Sequence, residues 1–315
     1  MIVAITGATG FIGKRLVQKH LALKHKVRFL TRNPQSLDLF DGAEGHLSDL
    51  AEPNKALYSF VEGADVIYHL AAELQDEALM WKVNVKGTQN LLDIAQGKVG
   101  RWVQLSSTGV YGAKLESLIN EQSILRPNNL YEKSKTEADR LVTEYSVSNS
   151  MPAVILRPSN VYGADMPNQS LFQLISIINR GLFFYVGKKG SIVNYVHVDN
   201  VIDALMLCAS VPLYRNPLTY IVSDYCTIEE LVEIIAESLD KPYPKLRFPE
   251  TVLQLIASIA EKIPGSPLKQ SRIDAVTGRV IYSSKSIATD IGYCNRISIK
   301  DGFKEMVDAW IKRHD

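Results

Sequence analysis

A tyrosine and a lysine four residues apart form the most reactive combination of side chains in the chain. Tyr131 and Lys135 lie near the start of a long predicted helix, where residues four apart share one face. Oxidising a carbinol or reducing a ketone requires a group that moves the hydroxyl proton, and an adjacent ammonium would lower the tyrosine pKa for that task. Ser107 ends a predicted strand and can hydrogen-bond the substrate oxygen. We therefore predict Ser107, Tyr131 and Lys135 as the catalytic set, with Ser106 and Thr108 as alternatives to Ser107.

The chain contains a second tyrosine and lysine at the same spacing, Tyr185 and Lys189. Gly187 lies between them and disfavours a helix, so the two side chains are not expected to share a helical face. No strand-end serine precedes this pair at a suitable distance. These differences favour Tyr131 as the catalytic tyrosine.

Three glycines near the N-terminus have the spacing of a phosphate-binding turn. Gly7, Gly10 and Gly13 follow a predicted strand and open a predicted helix. Gly7 would allow the tight turn, Gly10 a close approach to a pyrophosphate, and Gly13 close packing of helix on strand. The spacing differs by one residue from GxGxxG, but the strand before it and the helix after it favour a dinucleotide site over a turn without ligand.

The residues after the second predicted strand distinguish between the two nicotinamide dinucleotides. An acidic residue there would hold the ribose hydroxyls of NAD, whereas this chain has Arg32 between Thr31 and Asn33. Arginine can pair with a 2′-phosphate and stack on adenine, so NADP is the predicted cofactor, with NAD as the alternative. Arg32 as a solvated surface residue is the competing interpretation. Asp49, followed by Leu50, is a candidate for binding the adenine.

Composition excludes several other classes of protein. The chain has 315 residues, 46% of them hydrophobic, and a formal net charge of +1, so no polyanion-binding surface is indicated and no nucleic-acid partner is expected. Six histidines and three cysteines show no zinc spacing, and the odd, dispersed cysteines indicate a reducing, cytoplasmic compartment. No targeting segment or membrane span is predicted, since the apolar stretch at 252–263 is short and interrupted by polar residues.

The predicted elements place these residues in an α/β fold. Strands alternate with helices through the first half, which predicts a Rossmann-type, doubly wound parallel sheet with a smaller C-terminal substrate-binding lobe. We assign residues 1–157 and 199–223 to the dinucleotide-binding domain, and 158–198 and 224–315 to the smaller lobe. The predicted strands are 2–5, 27–30, 66–70, 102–105, 153–156 and 219–222, and the predicted helices are 11–24, 81–95, 130–148, 228–239 and 302–312.

Motifs along nearly the whole chain carry a family resemblance. They are GATGFIG at 7–13, HLAA at 69–72, NVKGTQNLL at 84–92, LSSTGVYG at 105–112, YEKSK at 131–135, LRPSNVYG at 156–163, YVHVDNVIDAL at 195–205 and YSSKSIATDIGY at 282–293. With these, the chain resembles the extended short-chain dehydrogenase/reductases, the NAD(P)-dependent epimerase/dehydratase enzymes.

The resemblance implies further roles for residues of this chain. Besides the three glycines, Arg32, Tyr131 and Lys135, the cofactor-binding residues would be Thr9, Phe11, Ile12, Asp49, Leu50, Leu70, Ala71, Ala72, Asn84 and Pro158. The substrate-binding residues would be Ser107, Thr108, Asn160, Lys188 and Arg272. Many relatives are homodimers that pair helices at about 81–96 and 131–148, so a homodimer is expected, although burial against the sheet would also explain these helices.

The resemblance also narrows the reaction. Nucleotide-sugar 4,6-dehydratases carry an Asp-Glu pair directly after the catalytic hydroxyl residue, and Thr108 and Gly109 stand there instead. Dehydration is therefore disfavoured. Epimerisation and net ketone reduction remain, and Arg32 favours reduction because epimerases of the family typically retain NAD.

Three interpretations of the substrate and function compete. A nucleotide-activated sugar is the first, although the arginine that often precedes the YVHV motif is missing, and Lys188 and Arg272 are the candidates to grip its phosphates. A hydroxysteroid or sterol is the second, favoured by Val193 and the apolar stretch at 182–185. A nucleotide-sensing protein without catalysis is the third, and the intact catalytic set counts against it.

Overall fold

A seven-stranded parallel sheet forms the centre of the fold in a computed structural model that describes residues 1–112, 117–212, 216–249 and 278–314. The strands are β1 (Ile2–Thr6), β2 (Lys26–Thr31), β3 (Ala43–Leu47), β4 (Val66–His69), β5 (Trp102–Leu105), β6 (Leu118–Ile119), β7 (Ala153–Pro158), β8 (Asn160–Tyr162), β9 (Tyr185–Val186), β10 (Ile192–His197), β11 (Leu218–Val222), β12 (Asp224–Thr227), β13 (Arg247–Phe248) and β14 (Ile281–Tyr282).

The strand order of the large sheet determines where a ligand can bind. The order is β11-β7-β5-β4-β1-β2-β3, and neighbouring strands are parallel. From β1 the chain builds β2 and β3 on one side and then crosses to β4 on the other, so the order reverses between β1 and β4. Ligands of open α/β sheets bind outside the carboxyl ends of the strands at such a reversal. The loops that follow Thr6 and His69 lie at this point.

Helices cover both faces of the sheet. They are α1 (Phe11–Ala22), α2 (Lys55–Val61), α3 (Glu77–Met80), α4 (Gly87–Ala95), α5 (Leu130–Ser148), α6 (Ser170–Asn179), α7 (Val198–Ser210), α8 (Ile228–Ser238), α9 (Lys285–Ile291) and α10 (Ile299–His314). On one face, α1 and α7 bury Leu16 and Val201 against the sheet. On the other face, α2, α4 and α5 bury Leu57, Leu92 and Val142. Because both faces are covered, strands such as β4 and β5 are buried at every position. The prediction of a Rossmann-type α/β fold is confirmed.

A second group of elements packs beyond the carboxyl ends of the sheet strands. Its three-stranded sheet has the order β12-β10-β8, with β12 antiparallel and β8 parallel to β10. Helices α6, α8 and α10 share an apolar cluster that includes Ile175, Leu231 and Phe303. Two short parallel pairs, β9 with β13 and β6 with β14, complete the described strands. The division of the chain into two lobes at the stated boundaries stays a prediction.

The structure corrects the predicted helix over residues 81–95. A short helix, α3, begins earlier at Glu77, residues Trp81–Lys86 adopt a π-helix, and α4 follows without a break. A pattern with a 3.6-residue period does not reveal this change, because the π-helix alters the hydrogen-bond register without altering which residues are apolar. The pair at Tyr185 lies as expected outside a helix, since Tyr185 is in β9 and Gly187 has a φ of +68°.

Several elements were missed by the sequence patterns, among them β3, α2, α6 and α7. In the part of the chain that the structure describes, no helix is long and apolar enough to cross a membrane. The apolar stretch at 252–263 lies outside the described residues.

Candidate active site

A cavity of about 1090 Å³ opens at the carboxyl ends of β1 and β4. It is lined by most of the site residues predicted from the sequence. These are Gly7, Thr9, Gly10, Phe11, Ile12, Gly13, Arg32, Asp49, Leu50, Leu70, Ala71, Ala72, Ser107, Tyr131, Lys135, Pro158 and Asn160. Residues from six different strand ends and from two helices therefore meet in one space.

The glycine turn after β1 has no room for side chains. Gly7 has a φ of +68°, and a Cβ there would lie 2.7 Å from the backbone nitrogen of Ala71. A Cβ at Gly13 would collide with the carbonyl oxygen of Gly7. Helix α1 begins after Gly10, which has no side chain to cap the N–H groups of the first turn. Such N–H groups, together with the helix dipole, suit the pyrophosphate of a dinucleotide.

A buried chain of hydrogen bonds joins this turn to the loop after β4. The Ala71 N–H donates to the Thr6 hydroxyl at 3.2 Å, and the Thr6 oxygen lies 2.7 Å from Nδ1 of His69. Nε2 of His69 lies 2.9 Å from the Thr88 oxygen, and the Thr88 hydroxyl donates to the Asn84 carbonyl at 2.6 Å. Every donor finds an acceptor only if His69 is neutral and carries its proton on Nε2. Burial agrees with this assignment, because it lowers the pKa of His69 to about 3.

Helix α5 places Tyr131 and Lys135 at the cavity. Asn129 and Glu132 form a reciprocal capping box, which begins the helix directly before Tyr131. The Ser134 hydroxyl donates to the Tyr131 carbonyl at 2.7 Å and fixes this first turn further. Lys135 follows one turn later on the same face and is 3% exposed.

The electrostatics of Tyr131 differ from the sequence-based expectation. Its pKa is raised to about 12, mainly by burial and then by the negative charge of Asp139, while the nearby Ser107 hydroxyl opposes the rise. The Lys135 ammonium donates a hydrogen bond of 2.6 Å to the Leu105 carbonyl. Burial lowers the pKa of Lys135 to about 8, and Asp139 opposes that fall. Without a bound cofactor, Tyr131 is therefore a phenol at neutral pH and not a phenolate.

The three candidate hydroxyl residues after β5 are arranged differently. Ser107 lines the cavity, and its Oγ accepts a hydrogen bond of 3.0 Å from the Gly109 N–H. Its hydroxyl also faces the Tyr131 phenol, whose pKa it lowers, so the two hydroxyls lie next to each other at the cavity. Ser106 also reaches the cavity wall, but its hydroxyl donates to Asp139 at 2.8 Å. Thr108 is buried and does not line the cavity. This arrangement favours Ser107 as the hydroxyl that contacts substrate.

Other predicted site residues lie away from the cavity or outside the described residues. Asn84 is buried behind the wall, where it bonds both the N–H and the carbonyl of Glu73 and donates to Ser134 at 2.9 Å. It can therefore hold the loop after β4 against α5. Lys188 is exposed after β9 and does not line the cavity. Arg272 lies outside the described residues.

The cavity wall includes residues that the sequence reasoning missed. Many of them are apolar, among them Met80, Val83, Leu130, Val161, Met166 and Leu171. Tyr195 also lines the cavity, and it begins the YVHV motif, which was the available signal. Among the described residues, no three His, Cys, Asp or Glu side chains group as a metal site would need.

Comparisons with known proteins show the family and the fold of the chain. The model of the NAD dependent epimerase/dehydratase family matches residues 3–216. The UDP-glucose 4-epimerase of Vibrio cholerae is 26% identical over 335 residues, covering 99% of this chain and 96% of that protein. A 3 beta-hydroxysteroid dehydrogenase/Delta 5-->4-isomerase of Mycobacterium tuberculosis is 29% identical over 266 residues, covering 78% and 71%. The UDP-glucuronic acid 4-epimerase of Bacillus cereus, in complex with NAD, has the same fold, with a TM-score of 0.77 at 20% identity over the full length of both chains.

We predict that Gly13→Ala weakens dinucleotide binding by about tenfold or more, because displacing the turn removes hydrogen bonds to a charged group worth about 1.5–3 kcal/mol. The added methyl group would collide with the Gly7 carbonyl. Fluorescence titration with NADPH and NADH measures the change. Lys14→Ala, which alters the exposed neighbouring residue, is the matched control. Equal affinities for all three proteins would contradict the role of the turn.

We also predict that stability falls as the pH is lowered below 6.5. The pKa of His69 is about 3 in the folded protein, whereas a histidine in the unfolded chain has the ordinary value of 6.5. Between these two pH values the unfolded chain therefore binds a proton that the native state does not. The slope for one such group is about 1.4 kcal/mol per pH unit. The free energy of unfolding is measured in urea at several pH values between pH 7 and pH 5. Its decrease with falling pH should be smaller in His69→Gln than in the parent protein, and His314→Gln, at an exposed site, should behave like the parent. Parallel slopes for all three would refute the neutral, buried His69.

Proposed function

The chain belongs to the NAD dependent epimerase/dehydratase family, and from this premise we propose that it transfers hydride at a carbinol or ketone of a nucleotide-activated sugar. The observation that carries the proposal is the presence of Tyr131, Lys135 and Ser107 in the cavity that also contains the glycine turn. The dinucleotide would lie along Gly7–Gly13 and the loop Leu70–Ala72, with its nicotinamide towards Pro158.

The arrangement of the three side chains suits ketone reduction. The nicotinamide supplies the hydride when bound, and the protein must supply the proton. Ser107 donates a hydrogen bond to the carbonyl oxygen of the substrate, and Tyr131 transfers its phenolic proton to that oxygen as the C–O double bond becomes single. The Lys135 ammonium, one helical turn away, stabilises the phenolate that remains.

The protonation of Tyr131 favours net reduction over epimerisation. With a pKa of about 12 it is protonated through the neutral range and is ready to act as an acid. Epimerisation needs an oxidative half-reaction first, in which Tyr131 must act as a base, and that half-reaction depends on the positive charge of an oxidised nicotinamide to lower its pKa. Net reduction makes no such demand on the enzyme.

Arg32 supports NADPH as the cofactor. It lines the cavity directly after β2, and within the described ranges it forms no hydrogen bond or ion pair that would occupy its guanidinium. The neighbouring Asn33 caps a short turn by accepting from the Gln35 N–H, so it does not compete for the ribose. A guanidinium in this place suits a 2′-phosphate. NAD is the alternative cofactor.

Two substrate classes are candidates for this cavity. The Vibrio cholerae relative, which aligns with 99% of this chain and acts on UDP-glucose by its name, supports a nucleotide sugar. The apolar wall formed by Met80, Val83, Leu130 and Met166 favours a hydroxysteroid as the second candidate, as does the Mycobacterium tuberculosis relative. Of the described residues that line the cavity, only Arg32 and Lys135 are cationic.

A substrate screen tests the proposed function. Thermal stabilisation by UDP-, GDP- and dTDP-sugars and by steroids is measured first, with NADPH present. For each compound that stabilises the protein, the corresponding ketone is then tested as a substrate by following the absorbance of NADPH. We expect turnover of a nucleotide-linked ketosugar, and a fall of about 10²–10⁴-fold in Tyr131→Phe with cofactor affinity unchanged. If only ketosteroids are turned over, the substrate class is a steroid and not a nucleotide-activated sugar. Cofactor binding with neither NADPH turnover nor interconversion of sugar epimers would favour a nucleotide-sensing protein.

We expect NADPH to bind more tightly than NADH, and Arg32→Ser to remove the preference. Loss of the arginine–phosphate contact should weaken NADPH binding by about tenfold or more and leave NADH nearly unchanged. Fluorescence titration with both cofactors measures this difference. Arg180→Ser, at an exposed arginine outside the cavity lining, is the control. Equal affinities of the parent protein for the two cofactors would overturn the assignment.

A further inference from the structure

One buried carboxylate contacts the elements that carry the proposed catalytic groups. Asp139 lies on α5 one turn after Lys135 and is 3% exposed. Its Oδ2 accepts hydrogen bonds from the Ser106 hydroxyl at 2.8 Å and from Nε of Arg157 at 3.0 Å. Ser106 precedes Ser107 after β5, and Arg157 is the next-to-last residue of β7. Asp139 therefore ties two strand ends to the helix that holds the tyrosine and lysine.

Arg157 completes a buried ion pair with Asp139. Its Nη2 also lies 3.0 Å from Oδ2, and its Nη1 donates to the Tyr111 hydroxyl at 2.9 Å. Arg157 is 6% exposed and Tyr111 is fully buried. Two charges removed from water are costly unless their geometry is well satisfied, so this pair fixes the distance between α5 and β7 closely.

The Asp139 carboxylate, already paired with Arg157, can also interact with the charge of Lys135. Oδ1 of Asp139 is buried and has no hydrogen-bond partner among the described residues. Lys135 is also buried, and the hydrogen bond found for its ammonium goes to a neutral carbonyl, that of Leu105. A nearby negative charge favours the protonated form of a buried ammonium, and Asp139, buried one turn further along the same helix, is the carboxylate whose charge opposes the fall of the Lys135 pKa.

We propose that Asp139 is a positioning residue, which holds the ends of β5 and β7 against α5 and supplies the negative charge that balances the buried Lys135 ammonium. Its relevance to catalysis rests on the proposed function, in which Lys135 stabilises the Tyr131 phenolate. A carboxylate that acted only as a structural tie would leave the protonation of Lys135 unaffected.

Few groups around this cluster can titrate near neutral pH. The ionisable groups that face it are Arg157 from β7, Tyr111 from the turn after β5, Glu121 beyond Tyr111, His69 from β4, and Tyr131 and Glu132 from α5. The pKa of Arg157 and that of Tyr111 are raised, and that of His69 is lowered to about 3, so these three keep one protonation state from pH 6 to pH 9. Lys135, with a pKa of about 8, is the group whose titration can report the charge of Asp139.

The test measures the protonation of Lys135 directly and needs no substrate. The full-length protein is labelled with [ε-¹³C]lysine, the Lys135 signal is assigned by its loss in Lys135→Met, and its midpoint is followed by NMR. We expect a midpoint near 8 in the parent protein and a fall of about one pH unit in Asp139→Asn. Glu137→Gln, which removes a surface carboxylate of the same helix that pairs with Arg140, should leave the midpoint unchanged.

A second variant covers the outcome in which Asp139→Asn does not fold. Asp139→Asn/Arg157→Gln removes both charges of the buried pair, so neither is left unpaired. Because loss of the Arg157 cation by itself raises the Lys135 pKa, the double variant is compared with Arg157→Gln, and its Lys135 midpoint should be lower. Asp139→Glu should restore the parent midpoint. An unchanged midpoint in folded Asp139→Asn, or equal midpoints in the double variant and Arg157→Gln, would overturn the proposal. Because the titration is independent of turnover, failure of the substrate screen would not be confused with failure of this inference.

Discussion

The close approach of two backbone turns at the centre of the large sheet determines the rest of the site. The turn after β1 passes so near Ala71 that Gly7 has no space for a side chain, and Gly13 has none against the turn itself. The reversal of strand order between β1 and β4 brings these segments together. The cavity, the free N–H groups of α1 and the wall after β4 all follow from this contact.

Burial then sets the chemistry of the groups around the cavity. Desolvation is the largest influence on the pKa of His69, of Tyr131 and of Lys135, and in each case it favours the neutral form. For His69 the neutral form completes the hydrogen-bond chain between the two turns. For Tyr131 it preserves the proton that a reduction consumes. Lys135 differs because its proposed role needs the charged form, which the negative charge of Asp139 favours.

The sequence predicted the parts of this site whose patterns are local. The glycine turn, the strand ends and the start of α5 are read from a few adjacent residues, and the structure brings Gly7, Ser107 and Tyr131 into one cavity. The sequence did not predict the π-helix at Trp81–Lys86 or the Asp139–Arg157 pair. Neither has a recognisable sequence pattern, and a single aspartate on a helix gives no sign of whether it faces solvent or an arginine on the next strand.

The residues proposed for the reaction and those that line the rest of the cavity belong to different parts of the fold. The groups proposed for hydride transfer stand on strand ends and on α5, where backbone hydrogen bonds and the capping box position them. The cavity wall also draws on α3, the π-helical segment and α6, through Met80, Val83 and Leu171. Side chains on that wall can change without disturbing the glycine turn or the buried ion pair. This separation is consistent with relatives of this chain that are named for a UDP-sugar and for a steroid, because a fold can keep one set of groups while the wall around them varies.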